Sequence, residues 1–211
     1  TCEIPYGYIE KPINGEEEPA QNWIDITGKY VDNDHEVYGL SILNDCKYSF
    51  DIKGNDMRMT VVRSPIYADH FGKRDELCEY MDQGIQEFKY MIVPHKGDWR
   101  DGEVVKKAYE LNCPPEYIME TYHKGTLPLE MNGIIVSETN IISTAFKIGE
   151  DGDGFILRCY ETSGKDTYAK FRLPLLNRSW EAEFGACEIK TFKIPIDDNL
   201  PVIETNLLEI Y

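Results

Sequence analysis

Carboxylates, histidines and cysteines are the side chains of this sequence best suited to chemistry. None of them falls into a spacing that builds a site from neighbouring residues. The four histidines are His35, His70, His95 and His123. None belongs to an H-x-H, H-x-D or H-E-x-x-H pattern, so adjacent ligands encode no zinc site. The six cysteines (Cys2, Cys46, Cys78, Cys113, Cys159 and Cys187) contain no C-x₂-C or C-x₄-C pair. A chain of this size folds without disulfides, so they read as reduced thiols of a cytoplasmic protein. There is no G-x-S-x-G elbow and no phosphate loop, and Gly152-Asp153-Gly154 lacks the third glycine of a dinucleotide fingerprint. Glu150-Asp151-Gly152-Asp153-Gly154 offers calcium-type oxygens. However, the twelfth position counted from Asp151 is Thr162 rather than Glu, so the stretch reads as a turn between strands. Asn177-Arg178-Ser179 is a glycosylation sequon, which has meaning only in a secreted protein. The 38 acidic residues guarantee chance pairs, and sequence alone selects no acid and nucleophile among them.

Charge narrows the partners. With 22 basic residues against 38 acidic ones, the net charge is −16. Such a field repels nucleic-acid backbones and anionic membrane surfaces. No apolar run approaches the roughly 20 residues that span a bilayer. The opening Thr1-Cys2-Glu3-Ile4-Pro5 has neither a basic nor an apolar leader region and no Met, which fits a chain beginning inside a longer protein or after processing.

The texture is that of short strands separated by turns. Trp23 to Thr27, Tyr38 to Leu43, Tyr48 to Ile52, Met57 to Val62 and Phe88 to Val93 read as strands, with Lys53-Gly54-Asn55-Asp56 as a hairpin turn. Val104, Val105, Ala108 and Leu111 sit at helical spacing, with Asp101 placed to cap and Cys113-Pro114-Pro115 to stop one short helix. Ile134 to Ser137, Ile141 to Ile148, Phe155 to Glu161, Tyr168 to Leu173, Trp180 to Phe184 and Ile189 to Ile194 then predict a small antiparallel sandwich. The fold class is all-β, with a domain boundary near residue 125 that divides 1–125 from 126–211.

Seven strings, in order along nearly the whole chain, carry a resemblance. Ile4-Pro5-Tyr6-Gly7-Tyr8-Ile9-Glu10-Lys11-Pro12 is similar to P-Y-G-x-I-x-R-P. Glu17-Glu18-Pro19-Ala20-Gln21-Asn22-Trp23-Ile24-Asp25 is similar to E-x-P-A-x-x-W-V-D. Tyr38 to Tyr48 resembles Y-G-L-A-L-L-N-D-x-K-Y-G, and Arg58 to Pro65 resembles R-L-T-L-L-R-S-P. Tyr90 to Trp99 matches Y-x-x-x-P-H-x-G-D-W. Glu150 to Gly154 with Leu157-Arg158 resembles E-D-G-D-G-x-x-L-R, and Glu188 to Phe192 reads E-I-K-T-F. These are strings of the C-terminal half of glycoside hydrolase family 38 α-mannosidases, in the bacterial and fungal cytosolic or vacuolar branch. The chain departs from them at Lys11, Ser49 and Gln86, where Arg, Gly and His are usual.

The resemblance implies residues 1–125 as the latter part of a galactose-mutarotase-like supersandwich, whose opening strands are missing here, and 126–211 as a smaller β-sandwich. It implies an enzyme, a retaining exo-α-mannosidase. Its Zn²⁺ and Asp nucleophile reside in an N-terminal catalytic domain absent from this chain, so this segment alone has no catalytic or metal-binding residue and is inactive. The implied partners are that catalytic domain, a mannose-containing oligosaccharide and, in addition, a second copy in a homo-oligomer. Arg63 is the candidate to reach the sugar, because its five donors suit forked bonds to hydroxyls or a carboxylate. Asp45 and Lys47, in a turn-like stretch, are further candidates for substrate binding. His95 and Trp99 are expected to fix the junction before the helix. The alternatives are a freestanding carbohydrate-binding module and a purely structural or oligomerisation domain.

Overall fold

The computed structural model describes residues 1–31, 33–66 and 79–209; His70 and Cys78 lie outside the described residues. The described residues form antiparallel strands, one α-helix and a 3-10 turn at Pro174–Leu176, and the chain divides into two compact units, Thr1–Cys113 and Pro114–Tyr211. The anticipated boundary near residue 125 lies further along, in the stretch 114–133, which carries neither strand nor helix.

In the first unit the strands are β1 (Cys2–Ile4), β2 (Gly7–Ile9), β3 (Glu18–Pro19), β4 (Trp23–Tyr30), β5 (Asn33–Asn44), β6 (Ser49–Lys53), β7 (Asp56–Met59) and β8 (Tyr90–Lys96). They form a five-stranded sheet, β2-β1-β4-β5-β8, and a three-stranded sheet, β3-β6-β7. Gly54 and Asn55 close the β6–β7 hairpin, with Gly54 at φ 62°, a conformation that costs glycine nothing.

Strand alternation gives the large sheet two faces. Trp23, Leu43 and Met91 lie opposite one another on one face, as do Asp25, Ser41 and Val93. The helix α1 (Val104–Asn112), which buries Val104, Val105 and Ala108, lies against β4 and β5. On the other face Ile24, Ile26 and Ile42 meet Phe50, Ile52 and Met57 of the small sheet. That cover is partial. Along one row of cross-strand partners Ile24 is 4% exposed, whereas Ile92 on β8 is 55% exposed. Leu40 and Tyr38 of β5 are likewise open, and Leu40, Tyr38, Ile26 and Met57 line an open groove of about 710 Å³.

The helix begins differently from the sequence reading. Asp101 does not cap it; its Oδ2 accepts from Asp98 N at 3.0 Å instead. Asp98 to Glu103 coil as a turn in which Trp99 O accepts from Val104 N at 3.0 Å and Glu103 O from Lys107 N at 3.1 Å. Glu103 occupies the cap position in a left-handed conformation (φ 50°) without a side-chain bond.

The second unit is a sandwich of β10 (Ile141–Ile148), β11 (Gly154–Glu161), β14 (Ile189–Pro195) and β15 (Ile203–Thr205) facing β9 (Ile135–Val136), β12 (Thr167–Leu173) and β13 (Arg178–Phe184). Its core stacks Phe171 on Trp180, with centroids 4.9 Å apart and planes at 7°, and packs Phe184 and Phe192 around them. The fully buried Glu161 organises one end. Its Oε1 accepts from Asn140 Nδ2 and Ser163 N, and its Oε2 from Gly164 N, Lys165 N and Cys187 N.

Two measurements test this account. Glu161→Ala strips the acceptor from five donors, and urea denaturation followed by Trp180 fluorescence should show a loss of roughly 3 kcal/mol or more. In the first unit, burial pushes the Glu3 carboxyl up to about 7 from 4.5, against the bond that Asn22 N donates to it. The folded chain therefore keeps a proton that the unfolded chain releases, and stability falls as pH rises between those two values. Glu3→Gln has no such slope. Between pH 5 and 8 the parent should lose on the order of 3 kcal/mol relative to this variant.

Candidate functional site

Arg63 lies in the extended stretch that follows β7, where residues 62–65 are exposed. Its surroundings are set by Glu17, which precedes β3. Glu17 Oε1 accepts from Ser49 Oγ at 2.7 Å and Thr60 Oγ1 at 2.8 Å, and these two hydroxyls hold its carboxyl below the usual range. The second oxygen, Oε2, lies 4.0 Å from Arg63 Nη1, the limit of ionic contact. The guanidinium side chain is 76% exposed, so its fork of donors is presented to solvent beside an oriented carboxylate.

Asp45 and Lys47 occupy the turn between β5 and β6. Asn44, nearly buried, accepts from Lys47 N at 2.7 Å and donates to Gln21 O at 3.1 Å. Asp45 Oδ1 accepts from Lys89 N at 2.9 Å, a bond that lowers the pKa of its carboxyl, and Asp45 N donates to Lys89 O. Lys47 Nζ stands 5.7 Å from the Phe88 ring centroid. These contacts pin the β5–β6 turn to the entry of β8. Among the described residues, no hydrogen bond or ion pair joins either side chain to Arg63.

The most developed polar constellation includes residues that sequence reasoning did not single out. Asp25 on β4 is 1% exposed and Ser41 on β5 is fully buried. His95 Nε2 lies 2.8 Å from Asp25 Oδ2 and 3.2 Å from Ser41 Oγ, while His95 Nδ1 faces Gly97 O at 3.2 Å. Ser41 Oγ and Thr27 Oγ1 both donate to Asp25, at 2.8 and 2.6 Å. The ring is thus held at both nitrogens, by a backbone carbonyl on one side and by Asp25 and Ser41 on the other. The three residue types are those of a hydrolytic triad, but the geometry is different. In a triad the carboxylate and the hydroxyl sit on opposite ring nitrogens, whereas here both sit on Nε2. With Ser41 sealed from solvent, the cluster holds strands together. Its detectable signal was a polar residue, Asp25, two positions from the core Trp23 on an inward face.

The neighbouring glycines fit this role. A Cβ on Gly39 would approach His95 Cε1 to 2.1 Å, and one on Gly102 would approach His95 Cγ to 2.7 Å. Trp99 completes the junction, packed between Tyr8 (4.8 Å) and Trp23 (4.9 Å) with the Arg100 guanidinium 4.2 Å above its ring.

Among the described residues, no three His, Cys, Asp or Glu side chains come together to hold a metal ion. The acidic turn at 150–154 instead has Lys193 beside Asp151 and Asp153, and this ammonium lowers the Asp151 carboxyl to about 2. Cys2, Cys46, Cys113 and Cys159 are free thiols, and burial pushes the Cys159 thiol up to about 11. Among the described residues no helix is long and apolar enough to cross a membrane.

Comparison with known proteins agrees with this architecture. A family profile described as "Glycosyl hydrolases family 38 C-terminal domain" matches residues 1–71, and one described as "Glycosyl hydrolases family 38 C-terminal beta sandwich domain" matches 140–209. Alpha-mannosidase G of Dictyostelium discoideum is 31% identical over 177 residues, 82% of this chain and 15% of that protein. Alpha-mannosidase of Saccharomyces cerevisiae is 30% identical over 181 residues, 78% of this chain and 15% of that protein. A crystal structure of an alpha-mannosidase from Enterococcus faecalis superposes with a TM-score of 0.70 at 16% identity, over 92% of this chain and 24% of that one. Fold and matches together define a C-terminal β-sandwich region of a glycosidase type. The chain belongs to glycoside hydrolase family 38 and represents its C-terminal region. It spans about 15% of the length of these curated relatives.

The Asp25–His95 pair yields a prediction for stability. His95→Ala leaves the buried Asp25 carboxyl without its imidazole partner, and the loss should be about 2–3 kcal/mol by urea denaturation. Adding Asp25→Asn should recover a substantial part of that loss, whereas independent sites would give additive losses.

Proposed function

We propose that this chain is the non-catalytic, C-terminal part of a retaining, zinc-dependent exo-α-mannosidase. On this reading it buttresses the N-terminal catalytic domain and lends Arg63 to the pocket that holds the terminal mannose of an oligosaccharide. The observation that carries the reading is the half-covered large sheet. Ile92, Leu40 and Tyr38 continue the sandwich core beyond the edge of β7, and a further polypeptide layer is needed to bury them. Family membership supplies the chemistry of that layer, since the relatives matched bear the name alpha-mannosidase.

On this reading the Zn²⁺ and the attacking carboxylate belong to the catalytic domain. Arg63 acts on the substrate side. Its exposed guanidinium, with Glu17 fixed behind it, is suited to donate to sugar hydroxyls or to an active-site carboxylate. Asp45 and Lys47 hold the neighbouring turn and take a secondary part in substrate binding. The free thiols of Cys2, Cys46, Cys113 and Cys159 and a net charge of −16 support a cytoplasmic enzyme that binds neither nucleic acid nor membrane.

The test compares the 211-residue chain with the longer polypeptide that carries it, assayed on an aryl α-mannoside with zinc. The longer protein should turn over and the chain alone should not. Arg63→Ala should lower kcat/KM about tenfold to a hundredfold, with partial retention in Arg63→Lys. Turnover by the chain alone, or an unchanged kcat/KM in Arg63→Ala, would overturn the reading. Millimolar or tighter mannose binding by the isolated chain would favour a freestanding carbohydrate-binding module instead.

A further inference from the structure

The stretch 114–133 opens the second unit and carries no regular structure. Within it Tyr117, Ile118, Met119, Tyr122, Leu127 and Leu129 are each between 84% and 104% exposed. Single exposed apolar residues are ordinary on a protein surface, but a contiguous run of this size marks a surface that is covered in its working state. The backbone is open as well, since a Cβ built on Gly125 or Gly133 would meet nothing within 4 Å.

The sequence of the stretch favours an extended docked form. Leu127, Leu129 and Met131 recur with the period of two that puts side chains on one face of an extended chain. Pro114, Pro115 and Pro128 resist helix formation, and each removes a backbone donor that strand addition would use. Packing of side chains into an apolar groove is therefore the dominant mode available.

Two facts choose the occupant. The chain spans 15% of the relatives it matches, and the superposed alpha-mannosidase from Enterococcus faecalis covers 92% of it with only 24% of its own length. Most of a family 38 polypeptide therefore lies outside this region and is available to supply a groove. A second copy is disfavoured because two chains of net charge −16 repel each other.

We infer that residues 114–133 form a strap that docks, extended, into an apolar groove on the preceding part of a family 38 polypeptide. The inference rests on reading the chain as the C-terminal portion of a longer enzyme, and it adds a point of attachment distinct from the half-covered sheet.

Hydrogen–deuterium exchange of peptides covering 114–133 tests it, in the 211-residue chain and in the longer polypeptide, each at two concentrations. The expected result is rapid exchange in the chain alone and exchange at least about tenfold slower in the longer protein, independent of concentration. In the longer protein the double substitution Ile118→Ser with Leu129→Ser should restore fast exchange in these peptides while leaving protection of β11 and β14 unchanged. Equal, fast exchange in both proteins overturns the strap. Slow exchange in the chain alone also overturns it, indicating self-association where it grows with concentration and internal packing where it does not. An α-mannoside assay on the same samples separates the two readings. Turnover without protection overturns the strap alone, and protection without turnover supports the strap while overturning the enzymatic reading.

Discussion

The first unit depends on a single buried carboxylate. Asp25 sits on β4, directly across from Ser41 on β5, and His95 reaches it from β8. Because adjacent residues on a strand face opposite ways, a slip of one residue in any of these three strands would turn a partner to the wrong face and leave the carboxylate unpaired in a dry interior. The cluster is thus a register lock more than a source of net stability. A buried hydrogen bond returns only a modest net stability, but the penalty for leaving a buried carboxyl without its partner is large. The close approaches of Gly39 and Gly102 show the same constraint from the backbone side, since the imidazole occupies the space a side chain would take. Trp99 and helix α1 then cover the face on which the lock lies.

The second unit solves the same problem with backbone donors. Glu161 ends β11 and gathers backbone donors from residues 163–165 and from Cys187, so one carboxylate fixes the β11–β12 connection and the turn before β14. The stacked Phe171 and Trp180 supply a rigid centre, whose geometry adds to the simple burial of area. In both units a carboxylate specifies the connection while aromatic packing supplies the driving force.

Much of this was legible in the sequence, and the exceptions have physical causes. The long strands of both units were readable because alternation over five to eight residues is a strong signal, and Ile141–Ile148 was found to the residue. β1, β2 and β15 are three residues each, too short to show a period, and exist because long neighbours pair with them. Asp101 does not cap the helix because its carboxylate is engaged by Asp98 N within a turn that already takes up Val104 N, a turn geometry that helical spacing does not reveal. For the candidate site, family strings identified Arg63, Asp45 and Lys47 by position. They could not separate an exposed guanidinium from a pinned turn, since that distinction lies in Glu17 and Lys89, which are remote in sequence. Asp25 was quoted as part of a string yet not singled out, because an isolated acid on a strand has no meaning until its cross-strand partners are known.

The register lock and the exposed arm bear on each other. An accessory region influences a distant reaction only if it delivers a side chain with small positional error, since a displacement of about 1 Å can cost about a hundredfold in rate. Arg63 stands outside the named strands, in a stretch whose far end, at Pro65 and Ile66, is bridged to Tyr80 and Met81. Its position derives from Glu17, which is tied by hydroxyl bonds to β6 through Ser49 and to the exit of β7 through Thr60. Those strands in turn rest on Ile24, Ile26 and Ile42 of the large sheet, whose register Asp25 and His95 set. A fault in the buried pair would therefore reach the arginine through packed apolar contacts without any change in the residues around it. On this account the guanidinium proposed to meet a sugar and a carboxyl hidden from solvent belong to one chain of constraint.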